Sequence, residues 1–422
     1  MIGFIGLSHL GLNYSLATAA KGFDVVAFDK DSVLTTRCSR GDFPIEEPGF
    51  RELFAEHRGR IRYTSDESAL AECDLVFYSL DVRTSDRNES DLGPLTCLIH
   101  DTASHLPANS AAVILSQVSP GYMRRLRARL GESSPAEFYY QVETLIFGRA
   151  VERAMEPERF IVGAPDPGRP LPARFQEWHA AFGCPVLVMR LESAELAKIA
   201  INLFLVSSVT TTNLLAEICE RIGANWEEIA PAIRLDRRIG PHAYLSPGLG
   251  IAGGNLERDL VTVQTLAAEN GAEASIVNAW QISNYYRREW ALRQIHRWVL
   301  SRNRQARLAF WGLAYKQDTH SVKNSPALAL ARELAPFEKV AYDPLVKTLS
   351  PPIDNLSMAA SALQACHAAD VLVVMTPWSE FRGVDPKSVR QEMKGDILID
   401  PFGVLDRPAC LDAGFSYYRL GS

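Results

Sequence analysis

An α/β protein with two doubly wound parallel sheets and a helical middle is the fold class that the sequence predicts, on three observations. Short apolar runs alternate with helix-period segments at both ends of the chain, the pattern of parallel strands covered by helices. The middle third switches to long stretches of helical period. With 422 residues and 47% hydrophobic content, the chain also has enough apolar side chain for more than one core.

The elements follow in order. "MIGFIGLSHLGLNYSLATAAKGFDVVAFDKD" reads as strand, glycine turn, helix and a second strand ending at Asp29, a βαβ unit. The runs "CDLVFYSL", "SAAVILSQV", "AEFYYQVE" and "RFIVGA" continue a parallel sheet, so a first Rossmann-like domain is expected over residues 1–185. From "ESAELAKIAINLFLVSSVTTTNLLAEICERIGA" the period becomes helical, and a further helical pattern runs from Asp259 towards Leu300 with a break near Gly271. This central helical region, residues 186–300, is expected to mediate a homodimer, because "AINLFLVSSVTTTNLLAEI" has more apolar helix than one small domain would bury. The runs "ARLAFWGLAY", "KVAYDP", "DVLVVMTPW" and "GDILIDPF" then mark a second Rossmann-like domain over residues 301–422.

Composition narrows the partners. A net charge of −6 leaves no basic excess for a nucleic-acid backbone. The run "MRRLRARL", with Arg124, Arg125, Arg127 and Arg129, reads as the solvated face of a helix. Seven cysteines without CxxC spacing suggest reduced cytoplasmic thiols, with no metal site expected. No apolar stretch reaches the roughly 18 to 20 residues of a bilayer span, and residue 1 opens directly into a strand, so neither a membrane segment nor a secretory leader is expected.

The first glycine turn, "GLSHLG", carries Gly6 and Gly11 as the outer members of a GxGxxG pattern, with Ser8 at the middle position. It follows a strand and opens a helix, and Asp29 stands at the next strand end, where a carboxylate accepts hydrogen bonds from ribose hydroxyls. NAD is therefore the expected cofactor in preference to NADP, since Asp29 would repel a 2′-phosphate. Lys30 lies beside it.

Several longer strings carry a resemblance. These are the fingerprint, "GDFPIEEPGF", "VETLIFGRAVERAMEPERFIVG", "AELAKIAIN", "PGLGIAGGNLERD", "LAYKQDTHSVKNSPAL", "AYDP" and "TPWSEF". Together they make the chain similar, over nearly its whole length, to the UDP-glucose/GDP-mannose dehydrogenase family, which oxidises a sugar C6 alcohol to a carboxylate with two NAD molecules. The resemblance implies a nucleotide-sugar substrate and a homodimer. It places Asn255 on the catalytic cysteine, whose thiolate forms the covalent intermediate of the second oxidation. A carboxamide has no such nucleophile. Gln117 falls where the family usually has a threonine that helps hold water, and Phe147 replaces an acid/base glutamate.

Other positions match. The resemblance implies that Lys198 and Asn202 stabilise a developing alkoxide and hold water, that Asp259 is the loop aspartate, and that Glu143, Arg238, Gly253 and Lys316 face the substrate. At i and i+4 of a helix, Lys198 and Asn202 share a face. His320, Ser321, Lys323, Asn324 and Phe402 depart from the family's nucleotide-sugar contacts. Four readings remain open: a two-electron alcohol oxidation, which the three replacements favour; a redox-neutral epimerisation; a non-catalytic nucleotide-sugar binder; and a full dehydrogenase in which another residue replaces the thiol.

Overall fold

The computed structural model describes residues 1–85, 87–131 and 134–422. The chain divides into two compact units, Met1–Ile201 and Asn202–Ser422.

Among the described residues, the first unit has ten strands: β1 (Ile2–Ile5), β2 (Val25–Phe28), β3 (Ile61–Thr64), β4 (Leu75–Tyr78), β5 (Arg83–Thr84), β6 (Ser90–Asp91), β7 (Ala111–Ile114), β8 (Glu137–Gln141), β9 (Phe160–Ala164) and β10 (Val186–Arg190). Eight of them form one sheet in the order β10-β9-β8-β7-β4-β1-β2-β3, while β5 and β6 pair as a small antiparallel ribbon. Every residue of β1, β2, β4 and β7 is buried, the burial expected of parallel strands covered on both faces. The strand order reverses between β1 and β4, the switch point where doubly wound sheets open a crevice for ligand.

Two features extend beyond the simple alternation of strand and helix. Strand β9 runs antiparallel to β8, with Tyr140 opposite Gly163. The chain between them is long enough to return in either direction, so alternation alone does not set this strand's sense. The sheet also takes in β10, one strand past residue 185, as a half-exposed edge parallel to β9.

The helix Leu191–Ile222 has 32 residues and is long and apolar enough, by length and composition, to cross a membrane. This corrects the sequence-based expectation that no such segment exists. Threonines, serines and alanines interrupt the apolar run without lowering its average enough to disqualify it. The same helix carries buried Glu195, Asn202, Thr210, Thr212 and Asn213. Glu195 accepts the backbone N–H groups of Gly121 at 2.6 Å and Met123 at 2.8 Å, capping the helix Tyr122–Leu130.

In the second unit the helices Asn255–Asn270 and Ser275–Arg288 are separated at Gly271, which caps the first of them in the left-handed region. Its sheet contains β11 (Leu308–Trp311), β12 (Lys339–Tyr342), β13 (Leu356–Met358), β14 (Val371–Val374), β15 (Ile397–Ile399) and β16 (Ser416–Tyr418), all parallel, in the order β13-β12-β11-β14-β15-β16. Two Rossmann-like domains and a central helical region are thus present, as the sequence predicts.

Candidate active site

In the first unit the cofactor residues that the sequence singles out lie at the carboxyl ends of β1 and β2. Gly6 ends β1 at φ +94°, a conformation glycine adopts without strain, and starts the turn into the helix His9–Ala20. Gly11 sits so close to that turn that a Cβ would lie 2.0 Å from the Gly6 carbonyl oxygen. Asp29 reaches back across the turn: its Oδ2 accepts the Leu7 N–H at 2.8 Å and its Oδ1 the Asp31 N–H at 3.0 Å. Both oxygens keep a second lone pair for a ribose hydroxyl. This arrangement fits the adenosine half of NAD. Lys30 is engaged elsewhere, with Nζ 2.5 Å from Asp101 Oδ2 and 4.0 Å from Glu67.

Ser8 ties the turn to the end of β4. Its Oγ donates to the Ser79 carbonyl at 2.8 Å and accepts the Asp81 N–H at 3.0 Å. The Asp81 carboxylate accepts the His9 N–H at 3.1 Å, the first amide of the helix. Crowding by protein atoms pushes the Asp81 carboxyl above its ordinary range, His9 offsets part of that, and the residue as a whole still meets solvent.

A second cluster surrounds Glu47, from the segment "GDFPIEEPGF". Its carboxylate is 2.7 Å from His9 Nε2 and accepts the N–H groups of Gly148 and Ala150, each at 3.1 Å. The Phe147 ring lies 4.3 Å from the His9 ring and is 46% exposed, so it flanks this cluster without being sealed into the core. Lys198 Nζ donates to the Glu143 carbonyl oxygen at 2.8 Å. Burial raises the Glu143 carboxyl above its ordinary range, while the Lys198 charge and the Leu145 N–H pull it back down.

In the second unit Asn202 and Asp259 meet, with Nδ2 donating to Oδ2 at 2.5 Å, and Asp259 is 1% exposed. Arg258 lies 3.7 Å from the same carboxylate. The loop before them is fixed by side chains from several elements. Gly248 N–H donates to Asn213 at 2.9 Å, Ile251 N–H to Asn284 at 2.6 Å, Arg288 to the Ile251 carbonyl at 2.6 Å, and Asn324 to the Gly253 carbonyl at 2.8 Å. Asn324 also binds Glu257, which pairs with Arg288 at 2.6 Å. Gly253 has φ +86°, and a Cβ there would lie 2.9 Å from the Tyr315 ring, so this position admits no side chain without displacement. The loop delivers Asn255 as the exposed first residue of the helix Asn255–Asn270. Lys316 follows Tyr315, with Nζ 5.8 Å from that ring.

Arg238 stands apart from this group. Its guanidinium is held by Asp236 at 2.6 and 3.0 Å, and its side chain is 88% exposed. Asp81, Glu47, His9 and Asn284 were not singled out from the sequence as site residues, and Asn324 was noted only as a departure from the family's nucleotide-sugar contacts. For Glu47 a signal existed, since it lies in a segment that carries the family resemblance. Asp81 immediately follows the β4 apolar run at the switch point, a place where any charged residue merits scrutiny.

The comparisons agree along the whole chain. Residues 1–181 match the NAD binding domain of the UDP-glucose/GDP-mannose dehydrogenase family, 192–286 its central domain and 309–407 its UDP binding domain. The chain is 29% identical to a UDP-glucose 6-dehydrogenase of Rhizobium meliloti over 435 residues, covering 100% of this chain and 99% of the relative. It is 27% identical to a putative UDP-glucose 6-dehydrogenase, YtcA, of Bacillus subtilis, covering 96% and 95% respectively. In fold it is similar to a UDP-glucose dehydrogenase from Pyrobaculum islandicum, with a TM-score of 0.87, 24% identity and coverage of 99% and 96%. With its dinucleotide turn, helical centre and second Rossmann-like domain matched in order, the chain belongs to the UDP-glucose/GDP-mannose dehydrogenase family, and NAD is the cofactor of its N-terminal domain.

Proposed function

We propose that this protein oxidises a CH–OH group of a nucleotide sugar by two electrons and stops at the carbonyl. The observation that carries this reading is Asn255, presented by a loop held by side chains from several elements and matched by the sequence resemblance to the family's thiol position. An amide nitrogen delocalised into its carbonyl cannot attack an aldehyde, so the covalent step needed for a second oxidation has no nucleophile there. Gln117 and Phe147 remove two further groups that serve the second step. A phenyl ring transfers no proton.

The retained residues suit the first oxidation. NAD, when bound, supplies the acceptor for the hydride leaving the alcohol carbon. Gly6, Ser8, Gly11 and Asp29 belong to its seat, and Lys30 joins them once released from Asp101. Lys198, already oriented by the Glu143 carbonyl, stabilises the alkoxide that forms as the O–H proton leaves. Asn202 and Asp259 act as a hydrogen-bonded pair, the amide holding the carboxylate and the carboxylate, or a water, accepting that proton. Glu143, Gly253, Lys316 and Arg238 contribute to recognition of the sugar nucleotide, the two cations meeting its phosphates.

Incubation with NAD and a panel of UDP-, GDP- and ADP-sugars, followed by mass spectrometry, tests this. An aldehyde or ketone product supports it. Substrate isomerised without net NADH contradicts it in favour of the epimerase reading, and no turnover with retained binding favours a binder.

We further propose a homodimer formed through the long helix. Phe204, Leu215, Ile218 and Ile222 fall on one face and are 78%, 37%, 40% and 71% exposed, an apolar stripe that a second copy would cover. Light scattering should give twice the chain mass; a monomer would remove this assignment. The seven free thiols suit a cytoplasmic location.

A further inference from the structure

The N-terminal amides of a helix that follows a dinucleotide turn are an anion site, and in this fold they receive the cofactor's diphosphate. Here a carboxylate of the chain itself stands on them. Asp81 Oδ2 takes the His9 N–H at 3.1 Å, and the Leu10 amide also favours its charged form. The placement is fixed from behind, because Ser8 Oγ accepts the Asp81 N–H and donates to the Ser79 carbonyl. Ser8 occupies the position where the fingerprint has its middle glycine. Ser8 and Asp81 therefore act as one device: the serine hydroxyl at the glycine position holds the backbone from which the carboxylate reaches the amides.

Two anions cannot share those amides. A diphosphate arriving at His9 and Leu10 must displace the Asp81 carboxylate, and the displaced charge stays close, near the buried Glu143, whose carboxyl it already raises. We propose that Asp81 is a built-in competitor for the NAD diphosphate, a residue that sets cofactor affinity by occupying the diphosphate seat whenever NAD is absent. NAD binding is then an exchange of one anion for another, and its affinity falls below that of the same site without the competitor. The inference rests on the assignment of NAD to the N-terminal domain.

Calorimetric titration of the full chain with NAD, ADP and adenosine separates the possibilities. Asp81→Ala is expected to tighten NAD and ADP at least tenfold, while adenosine, which has no phosphate, changes less than twofold. Asp81→Asn keeps an acceptor oxygen for the His9 N–H but loses the charge, and should fall between wild type and Asp81→Ala; it decides the matter if the alanine variant fails to fold. Equal NAD affinity in wild type and both variants overturns the competitor and leaves the NAD site standing. An equal gain for adenosine also overturns it, since that would reflect a loosened pocket in place of a removed charge. Failure of every protein to bind NAD overturns both the competitor and the cofactor assignment beneath it.

Discussion

Lys198→Ala is expected to lower kcat by about 10²- to 10³-fold, the range for loss of one oriented donor to a developing oxyanion, with a much smaller change in KM. The ammonium is held in place before substrate arrives by the Glu143 carbonyl at 2.8 Å, so its orientation costs nothing further at the moment of reaction. The variant also has a stability signature. Glu143 titrates above its ordinary range because it is buried, and the Lys198 charge opposes that rise. A carboxyl whose folded-state pKa is raised contributes stability that is present below its unfolded pKa and lost as pH rises through the folded value. Removing Lys198 raises the folded value further, so the variant should lose more thermal stability near pH 7 than near pH 4. Kinetics and melting curves at the two pH values check both parts. A kcat within threefold of wild type would remove Lys198 from the chemistry.

The second large effect is on folding. In Gly11→Ala the new Cβ would meet the Gly6 carbonyl oxygen at 2.0 Å and Ser79 Oγ at 2.7 Å, both far inside contact distance. The obstacle is backbone at the end of β1, so the helix His9–Ala20 must move off its strand. Overpacking of this kind costs about 3 kcal/mol, the upper part of its usual range. The same movement carries the helix N-terminus away from the cofactor, so NAD affinity should fall along with stability. Denaturant unfolding and NAD titration measure the two. A variant with wild-type stability would mean that the turn is looser than its geometry indicates.

These two residues also show what the sequence reveals and what it conceals. Gly11 was legible because its role is local: a turn, a helix start and a strand end within a few residues demand that no side chain intrude. The parallel strands were legible for a similar reason, since β1, β2, β4 and β7 are apolar on both faces. The direction of β9 was not, because a connection of ordinary length can return in either sense. The membrane-compatible length of the helix Leu191–Ile222 was hidden by interspersed serines and threonines. Asp81 and Glu47 were hidden by distance along the chain: they meet His9 across 72 and 38 residues. The side chains that hold the glycine-rich loop are similarly remote, with Asn284 and Asn324 lying 33 and 71 residues from the groups they bind. Pattern identifies what backbone geometry requires of a residue, whereas hydrogen bonds between distant segments appear only once the chain is folded.

The central claim is arrest after one oxidation, and the most direct measurement is the number of NADH formed per nucleotide sugar consumed, taken with hydroxylamine present to trap any carbonyl. On the proposed reading Asn255, Gln117 and Phe147 stand where the family has groups needed after the first hydride leaves, so the count should not exceed one and the product should be recovered as its oxime. Two NADH per sugar, with a uronic acid as product, would contradict the account and require another residue to do the work of the missing thiol.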